Sequence, residues 1–142
     1  MKKHATKDSL GYWLCRSARK LDKFFEAYLS DLNMTSNEYA ILNSINSSES
    51  TTPSEIVEYL NMDKGYITRQ IVNLEKKTLV KRVKSKKDAR SYSLELTAKG
   101  KAILPDMIEG SHETNRQVKA LLTKKEQDDL LKILLKIGNS DI

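Results

Sequence analysis

Apolar residues recur at helical spacing along most of this chain and give way to strand-like runs only between Leu79 and Leu96. Leu10, Leu14, Leu21, Phe25, Tyr28 and Leu29 form a stripe that predicts a first helix over residues 8–30, broken by Asp31-Leu32-Asn33-Met34. Three capping boxes punctuate the chain beyond that break: Thr35 to Glu38, Thr52 to Glu55 and Thr123 to Glu126. In each, the Thr hydroxyl satisfies an orphan N–H while the Glu reaches back to the Thr amide. A second helix therefore runs from Thr35 to Asn46, with Leu42 and Ile45 facing inward, and Asn46 to Ser50 is a polar loop. The third helix, Pro53 to Leu60, has Pro at its first position and buries Ile56, Val57 and Leu60. The turn Asn61-Met62-Asp63 leads to a fourth helix, Lys64 to Lys77, capped by Asp63.

Two β-leaning runs come next, Leu79 to Lys84 and Tyr92 to Leu96, around a polar hairpin tip from Ser85 to Arg90. Thr97 opens a helix expected to bend near Pro105, whose missing N–H breaks the ladder. The last helix, Thr123 to Ile137, carries Leu130, Leu131, Leu134, Leu135 and Ile137. That is too much apolar surface for a lone helix, and pairing with the first helix of a partner chain would bury it. Hydrophobic content of 39% in 142 residues, with 31% charged, fits an elongated helical protein completed by a second subunit.

Composition removes several classes. Five Gly and two Pro argue against a sandwich or a loop-rich fold. No apolar run approaches the roughly 20 residues of a membrane span, and no signal-peptide core follows the basic start. Cys15 stands alone, so an intrachain disulfide is impossible and a reducing cytoplasm is the expected compartment. His4 and His112 lie far apart with no Cys or His cluster, so neither a metal site nor another cofactor is expected. There is no glycine-rich phosphate loop and no serine elbow, and Asp128 and Asp129 belong to a solvated helix face. No enzyme is expected.

Charge sharpens the picture. Ten Lys or Arg fall within the 27 residues from Lys64 to Arg90, opposed only by Glu75 and Asp88, so this segment carries +8 against a formal net of +6 for the whole chain. The remainder is slightly acidic. Charge alone fits a solvated run as well as a nucleic-acid footprint, but its placement on a short helix, a three-residue turn, a basic second helix and a hairpin favours a helix-turn-helix with a wing. Ile67, Ile71 and Leu74 share one face of the fourth helix and pack inward; Lys64, Gly65, Thr68, Arg69 and Asn73 then point outward. Thr and Arg are residue types that read base edges, while Lys64 and Lys76 suit phosphates. In the hairpin tip Lys86, Lys87 and Arg90 are basic, and Arg90 is the candidate for a narrow minor groove. Asp88 repels phosphate, so its role is wing-shaping: pairing with Arg90 or a helix Arg, or simply forming the turn.

The segment from Asp88 to Gly100, with Asp-x-Arg, then Leu-x-Leu-Thr, then Gly, resembles the wing signature of MarR-type regulators. Ile67-Thr68-Arg69, Leu74-Glu75-Lys76-Lys77 and Leu79-Val80 resemble that family's recognition helix and its exit, and Leu10-Gly11-Tyr12 and Met34-Thr35 match its usual pattern. The resemblance covers residues 10–137. It implies a mainly α fold with a small β-wing: one MarR-like domain over 1–142, with a winged helix-turn-helix core at 35–97 and dimerisation helices at 8–30 and 98–142. It further implies a homodimeric regulator, usually a repressor, that binds a pseudo-palindrome in double-stranded DNA and releases it on a signal. Thr68 and Arg69 become base or phosphate readers and Arg90 the wing arginine. Two departures stand out. Thr78 takes the place of a helix-ending Gly, where a left-handed cap would cost about 1 kcal/mol. Ala89 replaces a common second Arg, implying a salt slope shallower by about one charge.

The family also implies a small-molecule effector pocket between the dimerisation helices and the core. Tyr12, Trp13, Arg16 and Tyr39 supply aromatic walls and a cation for an acidic aromatic ligand, or else ordinary interface packing. Some relatives sense peroxide through a first-helix cysteine; Cys15 lies about one turn later, flanked by Arg16 and Arg19, and is either such a sensor or a small packed hydrophobe. A rival function remains: a winged-helix module for protein contacts, or an architectural binder that coats DNA without reading it. RNA binding lacks stacking aromatics, Tyr66 and Tyr92 being the ones near the patch.

Overall fold

The computed structural model describes residues 7–48, 51–85, 88 and 90–142. Along the chain come α1 (Leu10–Leu29), a 3-10 turn (Ser30–Leu32), α2 (Ser36–Ser47), α3 (Pro53–Leu60), α4 (Lys64–Lys76), β1 (Val80–Lys84), β2 (Tyr92–Leu96), α5 (Ala98–Ala120) and α6 (Lys124–Gly138). Every α-helix starts at a residue whose side-chain oxygen accepts a first-turn amide: Ser9, Thr35, Thr52, Asp63, Thr97 and Thr123. All three capping boxes form. At the second, the Thr52 amide and then the Thr51 hydroxyl hold the Glu55 carboxyl below the usual carboxylate range. That contribution is complete above the ordinary glutamate pKa and is lost as pH falls through the lowered one.

Three helical segments end on a left-handed residue, Asn33 (φ 54°), Asn61 (φ 50°) and Thr78 (φ 60°). After α4 the Thr78 amide donates to the Glu75 carbonyl at 2.9 Å and the Leu79 amide to the Leu74 carbonyl at 3.0 Å, the paired bonds of a Schellman cap. Because Leu79 spends its N–H there, the strand begins one residue later than the apolar run predicts. Asn tolerates this conformation through its short polar side chain; a β-branched Thr is strained in it. Thr78→Gly is therefore expected to stabilise the protein by about 1 kcal/mol, read as a higher denaturant midpoint at unchanged slope. A lower midpoint would show that Thr78 sits there without strain.

α2 extends to Ser47 and α4 stops at Lys76, each one residue from expectation. α5 runs through Pro105 as one helix; the proline removes a single N–H donor without ending the ladder. β1 and β2 pair antiparallel from Val80↔Leu96 to Lys84↔Tyr92. A third strand exists as one residue: Thr51 exchanges both backbone bonds with Leu94, at 3.3 and 2.6 Å. It ties the wing to the start of α3.

The core gathers Phe25 and Leu29 of α1, Ile41, Leu42 and Ile45 of α2, Ile56 of α3, the Ile67-Ile71-Leu74 face of α4, Leu94 and Leu96 of the wing, and Leu104 and Met107 of α5. Val57 and Leu60 sit half-buried at its margin. Gly100, in the first turn of α5, lies against the backbone of Leu79, and a methyl group there would drive into the Leu79 carbonyl. That carbonyl also accepts the Thr97 amide at 3.1 Å. Gly100→Ala should cost about 1–3 kcal/mol or more, measured by thermal or denaturant unfolding; an unchanged midpoint would contradict the packing.

α6 buries none of its residues against its own chain, leaving Leu131, Ile133, Leu134, Leu135 and Ile137 exposed. The front of α1 exposes Leu10, Tyr12, Trp13 and Leu14. Among the described residues no helix is long and apolar enough to cross a membrane.

Candidate nucleic-acid interface

α3, the turn at residues 61–63 and α4 form the helix-turn-helix. With Ile67, Ile71 and Leu74 buried, the 3.6-residue period turns Lys64, Gly65, Thr68, Arg69, Asn73 and Lys76 outward, and all six are exposed. They cover one side of α4 from its first turn, where amides are available to an anion, to its last. The Thr68 hydroxyl donates to the Lys64 carbonyl at 2.9 Å. Its donor is thereby used within the helix, leaving its methyl and oxygen lone pairs on the exposed side.

The basic patch divides into paired and unpaired cations. Lys77 Nζ donates to both Glu38 carboxylate oxygens, at 2.9 and 3.1 Å, and to the Asn33 carbonyl at 2.9 Å. Glu38 is only 4% exposed, so Lys77 holds the exit of α4 to the start of α2 rather than meeting phosphate. Arg82 stands opposite Leu94 on the inner face of the wing; it pairs with Glu75 at 2.8 Å and lies 4.4 Å over the Tyr92 ring. The Glu75 carboxylate bonded to it raises the Arg82 pKa above its usual value. Lys81 faces Glu95 across the ladder at 3.7 Å. Among the described residues Lys64, Arg69, Lys76, Lys84 and Arg90 have no acidic partner. These cations face no carboxylate; Lys86, Lys87 and Ala89 lie outside the described residues.

Asp88 acts as a turn former, the second of its two expected roles. Its carboxylate accepts the Arg90 amide at 2.9 Å and its carbonyl the Ser91 amide at 3.1 Å, an Asx turn. No Arg side chain among the described residues pairs with it, so the Arg90 guanidinium is left exposed at the tip.

The four proposed effector residues do not converge within one chain. Tyr12 and Trp13 stack edge-to-face at 5.3 Å, and Arg16 lies 5.7 Å over Trp13 and donates to the Tyr12 hydroxyl at 3.4 Å. Tyr39 instead meets Phe25 edge-to-face at 5.1 Å, thirteen residues further along α1, or about 20 Å at 1.5 Å per residue. Arg16 thus contacts Trp13 and Tyr12, three and four residues before it on the same helix. The cleft between α1 and α5, of about 340 Å³, is lined instead by Leu21, Phe25, His112, Asn115 and Val118, with Ser111 and Thr114. Cys15 is exposed and unpaired. Among the described residues no group of three His, Cys, Asp or Glu is placed to hold a metal ion.

The sequence alone did not reveal the Glu38–Lys77 ion pair, the Arg82–Glu75 ion pair, or the bond from Asn37 to the Tyr66 hydroxyl at 2.7 Å. These partners lie up to 39 residues apart, where local periodicity carries no signal.

A family model described as the MarR family matches residues 34–92. The chain is 29% identical over 115 residues to the HTH-type transcriptional regulator SarZ of Staphylococcus aureus, covering 81% of this chain and 76% of that one. It is 30% identical to the reduced form of MarR from E. coli, with a TM-score of 0.78 over 90% of this chain and 95% of that one. A mutant of that MarR complexed with operator DNA aligns with a TM-score of 0.84 at 29% identity, over 90% and 92% of the two chains.

Proposed function

The chain belongs to the MarR family, and from that premise we propose that it is a homodimeric transcriptional regulator, a repressor in the cytoplasm, that reads a pseudo-palindromic operator in double-stranded DNA. The observation that carries this reading is the outward row on α4, Lys64, Gly65, Thr68, Arg69, Asn73 and Lys76, beside a wing whose exposed Arg90 is presented by an Asx turn. Its likeness in fold to a MarR mutant complexed with operator DNA supports the DNA-binding reading. Arg69 reads guanine through its planar fork, Thr68 offers its methyl to thymine, Lys64 and Lys76 neutralise phosphates, and Arg90 enters the adjacent minor groove. Lys86 and Lys87 add two positive charges to the segment that joins β1 to β2. Two such surfaces related by a dyad enter major grooves about 34 Å apart, and the apolar faces of α1 and α6 supply the dyad contact. Residues 35–97 thus form the DNA-binding core, and 8–30 with 98–142 the dimerisation helices.

Release follows a small-molecule or oxidative signal. The open cleft between α1 and α5 and the exposed thiol of Cys15 are the places where such a signal would act. No catalytic role is assigned.

Binding of the purified protein to DNA from upstream of its own gene, against scrambled DNA of equal length across a salt series, tests the reading. A preference that survives rising salt is expected. Equal affinities with one steep slope would favour the architectural alternative, since non-specific binding is governed by counterion release alone.

A further inference from the structure

A guanidinium reads a base pair well only when its long side chain is already aimed, because ordering a free Arg on binding costs rotamer entropy. Arg69 is exposed, yet its guanidinium carbon lies 6.0 Å from the centre of the Tyr66 ring. The side chain also reaches back over Gly65: a methyl group there would come 3.5 Å from an Arg69 terminal nitrogen and 3.2 Å from Asp63 Oδ2. The guanidinium thus lies along the first turn of α4, at ordinary contact distance from the Gly65 position, with the Tyr66 ring nearby. Tyr66 is itself fixed from two sides. Its amide donates to Asp63 Oδ2 at 2.9 Å, its ring is half-buried against the core, and its hydroxyl accepts from Asn37 Nδ2 at 2.7 Å. Asn37 belongs to the first turn of α2, where the neighbouring Ser36 amide donates to Glu26 of α1 at 2.9 Å.

We propose that Tyr66, held by Asn37, is a positioning residue that presents Arg69 to its base pair and so sets the protein's selectivity at that position. This rests on reading α4 as the DNA-reading helix and goes beyond it, since Tyr66 is a half-buried residue that need not touch DNA itself. Cation–π contact leaves the in-plane N–H donors of the guanidinium available for guanine O6 and N7. Losing the hydroxyl bond frees the ring that guides it.

The test uses a duplex obtained by selection from random DNA, together with every single-base-pair variant of it. Parent protein is compared with Tyr66→Phe, Asn37→Ala, Arg69→Ala and the Tyr66→Phe/Arg69→Ala double variant. Tyr66→Phe and Asn37→Ala should each lower discrimination about three- to tenfold, only at the base pair whose discrimination Arg69→Ala removes. The salt slope should stay unchanged, and the double variant should discriminate no worse than Arg69→Ala alone. Parental discrimination in both Tyr66→Phe and Asn37→Ala would overturn the proposal, as would an even loss at every position. A parent protein that prefers no sequence would instead remove the DNA-reading assignment of α4, an outcome visible before any variant is compared.

Discussion

Thr68→Ala combined with Arg69→Ala yields a folded protein that no longer prefers its operator to scrambled DNA. Both side chains are exposed on α4 and touch none of its buried face, Ile67, Ile71 and Leu74. Alanine is at least as good a helix former as either, so stability should hold or rise by about 0.5 kcal/mol. Selectivity should collapse, because a bidentate Arg–guanine pair discriminates by about 1–3 kcal/mol and a dyad doubles it to about 2–6 kcal/mol, roughly 30-fold or more. Binding to scrambled DNA should fall far less, with a salt slope reduced by about one charge per half-site. The decisive quantity is the ratio of the two affinities. If specific and scrambled DNA weaken together, α4 supplies charge alone and the architectural reading is right.

The second large effect is expected from Leu134→Glu on α6. Leu130, Ile133, Leu134 and Ile137 follow the i, i+3, i+4, i+7 spacing of one stripe, and the last three are 53%, 43% and 39% exposed. Within its own chain α6 is held chiefly near its start, where the Gln127 amide group donates to the Lys119 and Leu122 carbonyls at 3.1 Å each. Burying such a leucine is worth about 1.5–3 kcal/mol, a two-fold axis counts it twice, and an unpaired carboxylate in its place is worse. Dimer affinity should drop by at least about 100-fold, and operator affinity should follow because one half-site loses the contacts of the other. Sedimentation or light scattering against concentration reads the first effect, and operator titration the second. A Leu134→Glu protein that stays dimeric at the parent's affinity would place the interface elsewhere.

What was legible in advance was whatever is encoded locally. Thr35, Thr52 and Thr123 each mark a helix start because cap and acid partner lie three residues apart. The period of Ile67, Ile71 and Leu74 decides which way Thr68 and Arg69 face. Even the left-handed turn at Thr78 was foreseeable from the family's glycine at that place. What escaped depends on contacts between distant segments. Lys77 and Arg82 read as patch cations, but Glu38 and Glu75 claim them. Asp88 read either as a partner for an arginine side chain or as a turn former, and its bond to the Arg90 backbone amide is the second of these. Tyr12 and Tyr39 read either as walls of one pocket or as interface packing, and within one chain they meet different partners, Trp13 and Phe25. Thr51 forms a one-residue strand too short for any alternation to announce.

The dimeric sequence reader is tested most directly by selecting binding sites for the full-length protein from a random DNA pool. Enrichment of a site of around 15–20 base pairs with two inverted halves, their centres about one helical turn apart, is the expected result. An unenriched pool, or a consensus without dyad symmetry, would contradict it.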